Sequence, residues 1–83
     1  MKIFYTERAT QDLASLPRSI QKRIAKKMRF YALQDSPLKF AKRLTDPRDG
    51  EFSFRVGGYR ITFDVVHNTI FVLKIGKRDK VYT

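Results

Sequence analysis

An α+β fold, with two N-terminal helices packed on a mainly antiparallel sheet of about four strands, follows from three features of this sequence. Residues 17–34 carry apolar side chains at helical spacing: Ile20, Ile24, Met28 and Tyr31 fall at i, i+4, i+8 and i+11 on one face. Residues 51–75 hold three β-branched and aromatic runs. The runs are separated by two-residue turn signals, Gly57–Gly58 and His67–Asn68, which read as hairpin loops. Helices followed by hairpins make a helix layer on one sheet.

In chain order, Lys2–Thr6 (KIFYT) is a short strand candidate, rich in aromatic and β-branched residues. Thr6 then caps a helix over Glu7–Ser15, with the Glu7 carboxylate at its positive end. Leu16–Pro17 breaks that helix, and Pro17 suits the first turn of a second helix, Pro17–Gln34. Opposite its apolar stripe stand Lys22, Lys26 and Arg29, with Arg23 at the flank. That basic stripe is either a solvated face or a track for an RNA backbone. Ser36–Pro37 ends the helix, and a polar connection runs through Lys39, Lys42, Arg43 and Asp46–Pro47 to the turn signal Asp49–Gly50. The strands are Glu51–Val56, Tyr59–Val66 and Thr69–Ile75.

The 83 residues suffice for a single domain, 1–83. A chain of this size buries roughly 60–65% of its unfolded surface, so the core is thin. A 42% hydrophobic content with seven Phe and four Tyr argues against disorder. With no cysteine, disulfides, thiolate chemistry and Cys-based zinc sites are excluded, which suits a reducing, cytoplasmic setting. The N-terminus has no apolar h-region and no run reaches the ~18 apolar residues of a membrane helix, so neither a signal peptide nor a membrane partner is expected.

Charge is the strongest compositional feature. Eighteen Lys+Arg against eight Asp+Glu leave +10. Such charge on a small body is self-repulsive, and a polyanionic partner, nucleic acid above all, makes sense of it. A solvated basic surface, or neutralisation by an acidic protein, are the other readings.

A two-residue loop at Gly57–Gly58 pairs Val56 with Tyr59 and Arg55 with Arg60. Phe52, Phe54, Ile61, Phe63 and Val65 then share the core face, and Arg55 and Arg60 lie opposite one another on the other face. Like charges in that relation repel, so the pair suits an anion site better than a structural one. The third strand returns to the same end of the sheet, where Lys74, Lys77, Arg78 and Tyr82 follow. Arginine forks match phosphate oxygens and a phenol ring can stack on a base, so the set reads as an RNA site; a basic rim with a packed tail tyrosine is the alternative. His67, the one histidine, reads as a turn residue, and the acidic residues show no metal-ligand pattern, so no metal or cofactor is expected. Phe71, Leu73 and Ile75 fall on the face opposite the core, beside Thr62. That stripe is a partner-binding candidate, or else a loop or the C-terminal tail covers it.

These residues resemble the RelE/ParE family of toxins from toxin–antitoxin systems. The resemblance is carried by "A..DLASLP" at Ala9–Pro17, the Lys/Ile-rich helix, "KRL" at Lys42–Leu44, "FRVGGYRITFDV" at Phe54–Val65 and "VLKIGKRDKVY" at Val72–Tyr82. It covers nearly the whole chain in the expected order, and it implies the same fold. It also implies a metal-independent endoribonuclease, an mRNA interferase that cuts mRNA on the ribosome and is neutralised by a cognate antitoxin. By resemblance, Arg60 takes the place of the phosphate-binding arginine, Arg78 that of the arginine serving the leaving group, and Tyr82 that of the tyrosine placing the substrate. Arg55, Lys74, Lys77 and Lys26 are then RNA-binding candidates. The RelE pattern has two lysines on the strand before "GYR"; here Glu51 and Ser53 stand there, and Lys77 stands where other members place a histidine. Glu51 is the candidate base. ParE-like relatives poison DNA gyrase instead, so a gyrase poison or a catalytically inactive binding relative is the alternative.

Overall fold

A computed structural model describes residues 1–46 and 48–77. The chain runs β1 (Lys2–Tyr5), α1 (Glu7–Ala14), α2 (Arg18–Ala32), a 3₁₀ turn (Pro37–Phe40), β2 (Lys42–Arg43), β3 (Phe52–Val56), β4 (Tyr59–Val66) and β5 (Thr69–Lys77). Two helices lie on one sheet of order β1-β5-β4-β3-β2. The sheet is mixed: β1 runs parallel to β5, and every other pairing is antiparallel.

The helices form for the expected reasons. Thr6 caps α1, its Oγ1 accepting from Ala9 N at 3.2 Å, and Glu7 sits in the first turn. Pro17 stands at the N-cap of α2, one place ahead of the first turn. Ile24, Met28 and Tyr31 of α2 are buried against the sheet. Tyr31 stacks on Phe54 with ring centroids 4.2 Å apart, and Phe54 on Phe63 at 4.4 Å. Phe54, Ile61 and Phe63 are essentially inaccessible; Phe52 and Val65 pack at the margin of the core.

The strand count is five rather than four. The additional strand, β2, is only two residues long and pairs Lys42 with Ser53 and Arg43 with Phe52. Two residues cannot display a strand periodicity, and the pairing is closed by Leu44 N donating to Glu51 O at 2.9 Å. Both hairpin loops are as expected. Gly57 has φ 59°, while His67 and Asn68 have φ 47° and 61°, the doubly left-handed backbone of a type I′ turn.

A bulge changes the third long strand. Thr62 pairs with Lys74, but the next residue, Phe63, pairs with Val72, leaving Leu73 unmatched. This exchanges the faces of the residues beyond it, so Ile75 pairs with Ile61 and is 6% exposed in the core. The expectation that Ile75 shares the outer face with Phe71 and Leu73 is therefore corrected. The cause is visible at the edge of β5. Beyond the end of β1, Thr6 donates its hydroxyl to Leu73 O (3.3 Å), and Asp12 Oδ2 accepts from Ile75 N (3.0 Å). Residues of α1 and its cap thus complete the ladder that β1 has left.

Gly50 brings the β2–β3 loop onto the open face, the one away from the helices. Its φ is +118°, and a Cβ there would stand 2.8 Å from Thr62 Cγ2 and 3.0 Å from Leu73 Cδ1. The loop covers Thr62, which is 2% exposed, and leans on Leu73. Phe71, half-buried, stays beside Phe4 with rings 5.5 Å apart. Gly50→Ala is expected to lower unfolding free energy by about 1–3 kcal/mol, measured by urea titration, since it adds both a clash and a strained φ.

Candidate functional site

The β3–β4 register places Arg55 opposite Arg60, as the two-residue loop requires. Alternation then puts Arg55, Arg60 and Thr62 on the open face. β2 adds Lys42 through its pairing with Ser53, and the bulge adds Lys74 opposite Thr62. Without the bulge, Lys74 would alternate with Leu73 and Ile75 onto the helix side. Four strands thus present four cations on one surface.

Two hollows flank Arg60. One, about 170 Å³, is lined by Phe40, Lys42, Ser53, Phe54, Arg55, Tyr59 and Arg60. The other, about 240 Å³, is lined by Arg8, Asp49, Arg60, Thr62, Lys74, Ile75 and Gly76. Tyr31 supports this end from beneath, its hydroxyl donating to Arg55 O at 3.3 Å. Burial pushes the Tyr31 phenol above its ordinary pKa, so it stays a neutral donor there. Arg23, read from the sequence as a flank residue, reaches the β3–β4 loop: its Nη1 lies 3.2 Å from where a Gly57 Cβ would be.

The remaining sequence-predicted residues are distributed as follows. Lys77 ends β5 opposite Tyr59, a helix-side register position at the same end of the sheet. Lys26 is exposed on α2, in the helix layer, and does not join the open face. Glu51 is corrected: it precedes β3, four residues from Arg55 and so about 13 Å along the strand. Its Oε1 accepts from Val65 N at 2.9 Å, and its own N donates to Asp64 Oδ1 at 2.9 Å. It clasps the far end of the sheet rather than facing the arginines. His67 lies in the β4–β5 turn at that same far end. Arg78 and Tyr82 lie outside the described residues.

Four contributors were missed as site residues: Arg8, Arg23, Lys42 and Asp49. Asp49 carried only a turn signal, yet its Oδ1 lies 3.6 Å from Lys74 Nζ. Among the described residues no cluster of His, Asp or Glu could hold a metal ion. No described helix is long and apolar enough to cross a membrane. The arrangement can grip a phosphate-bearing strand laid across β2–β5, with charge-assisted bonds from arginine forks and lysine ammonium groups.

The sequence matches the family model described as the ParE toxin of type II toxin–antitoxin systems, parDE, over residues 3–82. The fold is similar to that in the RelBE2 toxin–antitoxin complex of Mycobacterium tuberculosis, with TM-score 0.75 and 30% identity, covering 93% of this chain and 96% of that one. It is also similar to the RelB–RelE complex of Methanococcus jannaschii, with TM-score 0.72, 23% identity and coverages of 95% and 94%. The intact E. coli RelBE complex gives TM-score 0.71 and 20% identity, with coverages of 92% and 94%. No curated protein matches the sequence significantly.

Proposed function

Since the chain belongs to the ParE toxin family of type II toxin–antitoxin systems, we propose that it is a toxin of the RelE kind, a metal-independent endoribonuclease cutting mRNA on the ribosome in the cytoplasm. The observation that carries this reading is the cross-strand pair Arg55–Arg60 on an open sheet face shared with Lys42 and Lys74. Arginine forks side by side on an open face match the oxygens of a phosphate, and a phosphate backbone is the anion that a +10 domain concentrates.

Cleavage of this kind needs the 2′-oxygen to attack the adjacent phosphorus while the 5′-oxygen leaves. Charge gathers on the phosphoryl oxygens and on the leaving oxygen. By resemblance Arg60, held in the β3–β4 hairpin, is assigned to the former, Arg78 to the latter, and Tyr82 to stacking on the substrate. A small basic protein gains most from a substrate already splayed and held for in-line attack, which is why the ribosome enters the proposal. The partner that restrains it is a cognate antitoxin with an acidic, apolar segment, suited to the excess charge and to the exposed Phe4 beside Phe71.

The ParE description of the matching family model favours a second reading, a DNA gyrase poison. A pulse of expression in growing cells separates the two. New mRNA 5′ ends within reading frames, with translation arrested and no DNA-damage response, are expected. DNA breaks with intact mRNA would replace the nuclease reading by the gyrase one. Cleavage of naked transcript as fast as of ribosome-bound transcript would remove the ribosome from the mechanism.

A further inference from the structure

Among the described residues, the arginines and lysines around Arg60 need a partner to take the 2′-hydroxyl proton. The described carboxylates can be sorted by what already occupies them. Asp12 accepts the Ile75 N–H, Glu51 the Val65 N–H and Asp64 the Glu51 N–H. Asp46 is held by two side-chain bonds from Arg48, which keep its carboxyl below its ordinary pKa. Glu7 and Asp35 line neither hollow beside Arg60. Among the described carboxylates, Asp49 lines a hollow together with Arg60, and its Oδ1 pairs with Lys74 Nζ at 3.6 Å. Its side chain is 55% exposed, so substrate can reach it.

We propose that Asp49 is the proton acceptor of the cleavage reaction and that Lys74 positions it; this rests on the nuclease reading above. Two backbone devices create the arrangement. The left-handed Gly50 lays the β2–β3 loop over Thr62, and the β5 bulge turns Lys74 to the same face. Lys74 then holds the Asp49 carboxylate at the hollow it shares with Arg60. In the reaction the O2′–H proton passes to an Asp49 carboxylate oxygen as the O2′–P bond forms. The P–O5′ bond breaks, the 5′-oxygen takes a proton from water, and the products are a 2′,3′-cyclic phosphate and a 5′-hydroxyl. Arg60 faces the phosphoryl oxygens throughout. Among the described residues, the charged groups around Asp49 are Lys74 on β5, Arg60 on β4 and Arg8 on α1, with Asp64 beside the adjoining Gly50 and Arg48 in its own loop.

The test uses the full chain and a message fragment on programmed ribosomes, read as single-turnover cleavage across pH, with binding measured on the same fragment made 2′-deoxy at the cleaved position. Asp49→Asn is expected to bind normally, to cleave about a hundredfold more slowly, and to lose the acid limb of the wild-type profile. Asp49→Glu is expected to recover part of the rate and to restore that limb. Lys74→Met should slow cleavage less, with Lys74→Arg recovering it. Circular dichroism melts identify any variant that fails to fold. Cleavage by folded Asp49→Asn within about threefold of wild type, with an unchanged pH profile, overturns the assignment while leaving the nuclease reading intact. A wild-type chain that cuts neither ribosome-bound nor naked RNA overturns the nuclease reading, and this assignment with it.

Discussion

Arg60→Ala is expected to abolish growth inhibition and to slow mRNA cleavage by about a hundredfold, close to 3 kcal/mol of transition-state stabilisation. Arg60 lies between both hollows and opposite Arg55. A cation at that register position is rigid because the hairpin is closed by a two-residue loop and backed by the Phe54–Phe63 stack. Fixed charge aimed at developing charge needs no reorganisation during the reaction, which is the source of the large effect. Arg60 belongs to the surface site rather than to the core, so Arg60→Ala is expected to remain folded, with the loss falling on cleavage rather than on stability. Arg55→Ala, on the neighbouring strand, is expected to weaken RNA binding more than it slows the chemistry. Cleavage kinetics and thermal melts on the same preparations check this. A folded Arg60→Ala that remains fully toxic would remove the nuclease reading.

The largest stability effect is expected from Phe54→Ala, about 3–5 kcal/mol in unfolding free energy. Phe54 is 1% exposed and stacks between Tyr31 and Phe63, so truncation empties the contact between α2 and the sheet. Small domains have about 5–15 kcal/mol in total, and one of 83 residues with a thin core is expected near the lower end. The variant should therefore be largely unfolded at the growth temperature and lose toxicity for that reason alone. Phe71→Ala, half-buried on the opposite face, should cost much less. Guanidinium titrations of the two variants make the comparison, and equal losses would show that the core does not lie where the helices meet the sheet.

How much of this was legible beforehand differs by element. The helix pair, the two hairpins and the Arg55–Arg60 opposition were readable because each depends on local rules: a 3.6-residue apolar period, a capping threonine, a two-residue glycine loop. Arg55 and Arg60 were legible because a loop of known length sets register without reference to the rest of the chain. β2 was not, since two residues show no period and its pairing depends on where a distant strand happens to end. Lys26 looked as basic as the site residues, and nothing in the helix itself says that its layer lies across the sheet from the open face.

The sequence by itself determined the layer architecture, the basic character and the central arginine pair, all of them consequences of contacts close along the chain. The tertiary structure decided which side chains join that pair. The β5 bulge arises where Thr6 and Asp12, more than sixty residues earlier, satisfy the backbone of Leu73 and Ile75. One skipped residue moves Ile75 into the core and Lys74 out beside Arg60, because side chains alternate with a period of two and a single shift reverses every face beyond it. Asp49 reaches Lys74, and Glu51 turns to Val65, for the same kind of reason. Both are adjacent to Gly50, whose left-handed backbone points the two carboxylates to different partners. Such long-range satisfaction of backbone groups leaves no pattern in any short window of sequence, so the composition of this site is a property of the folded sheet.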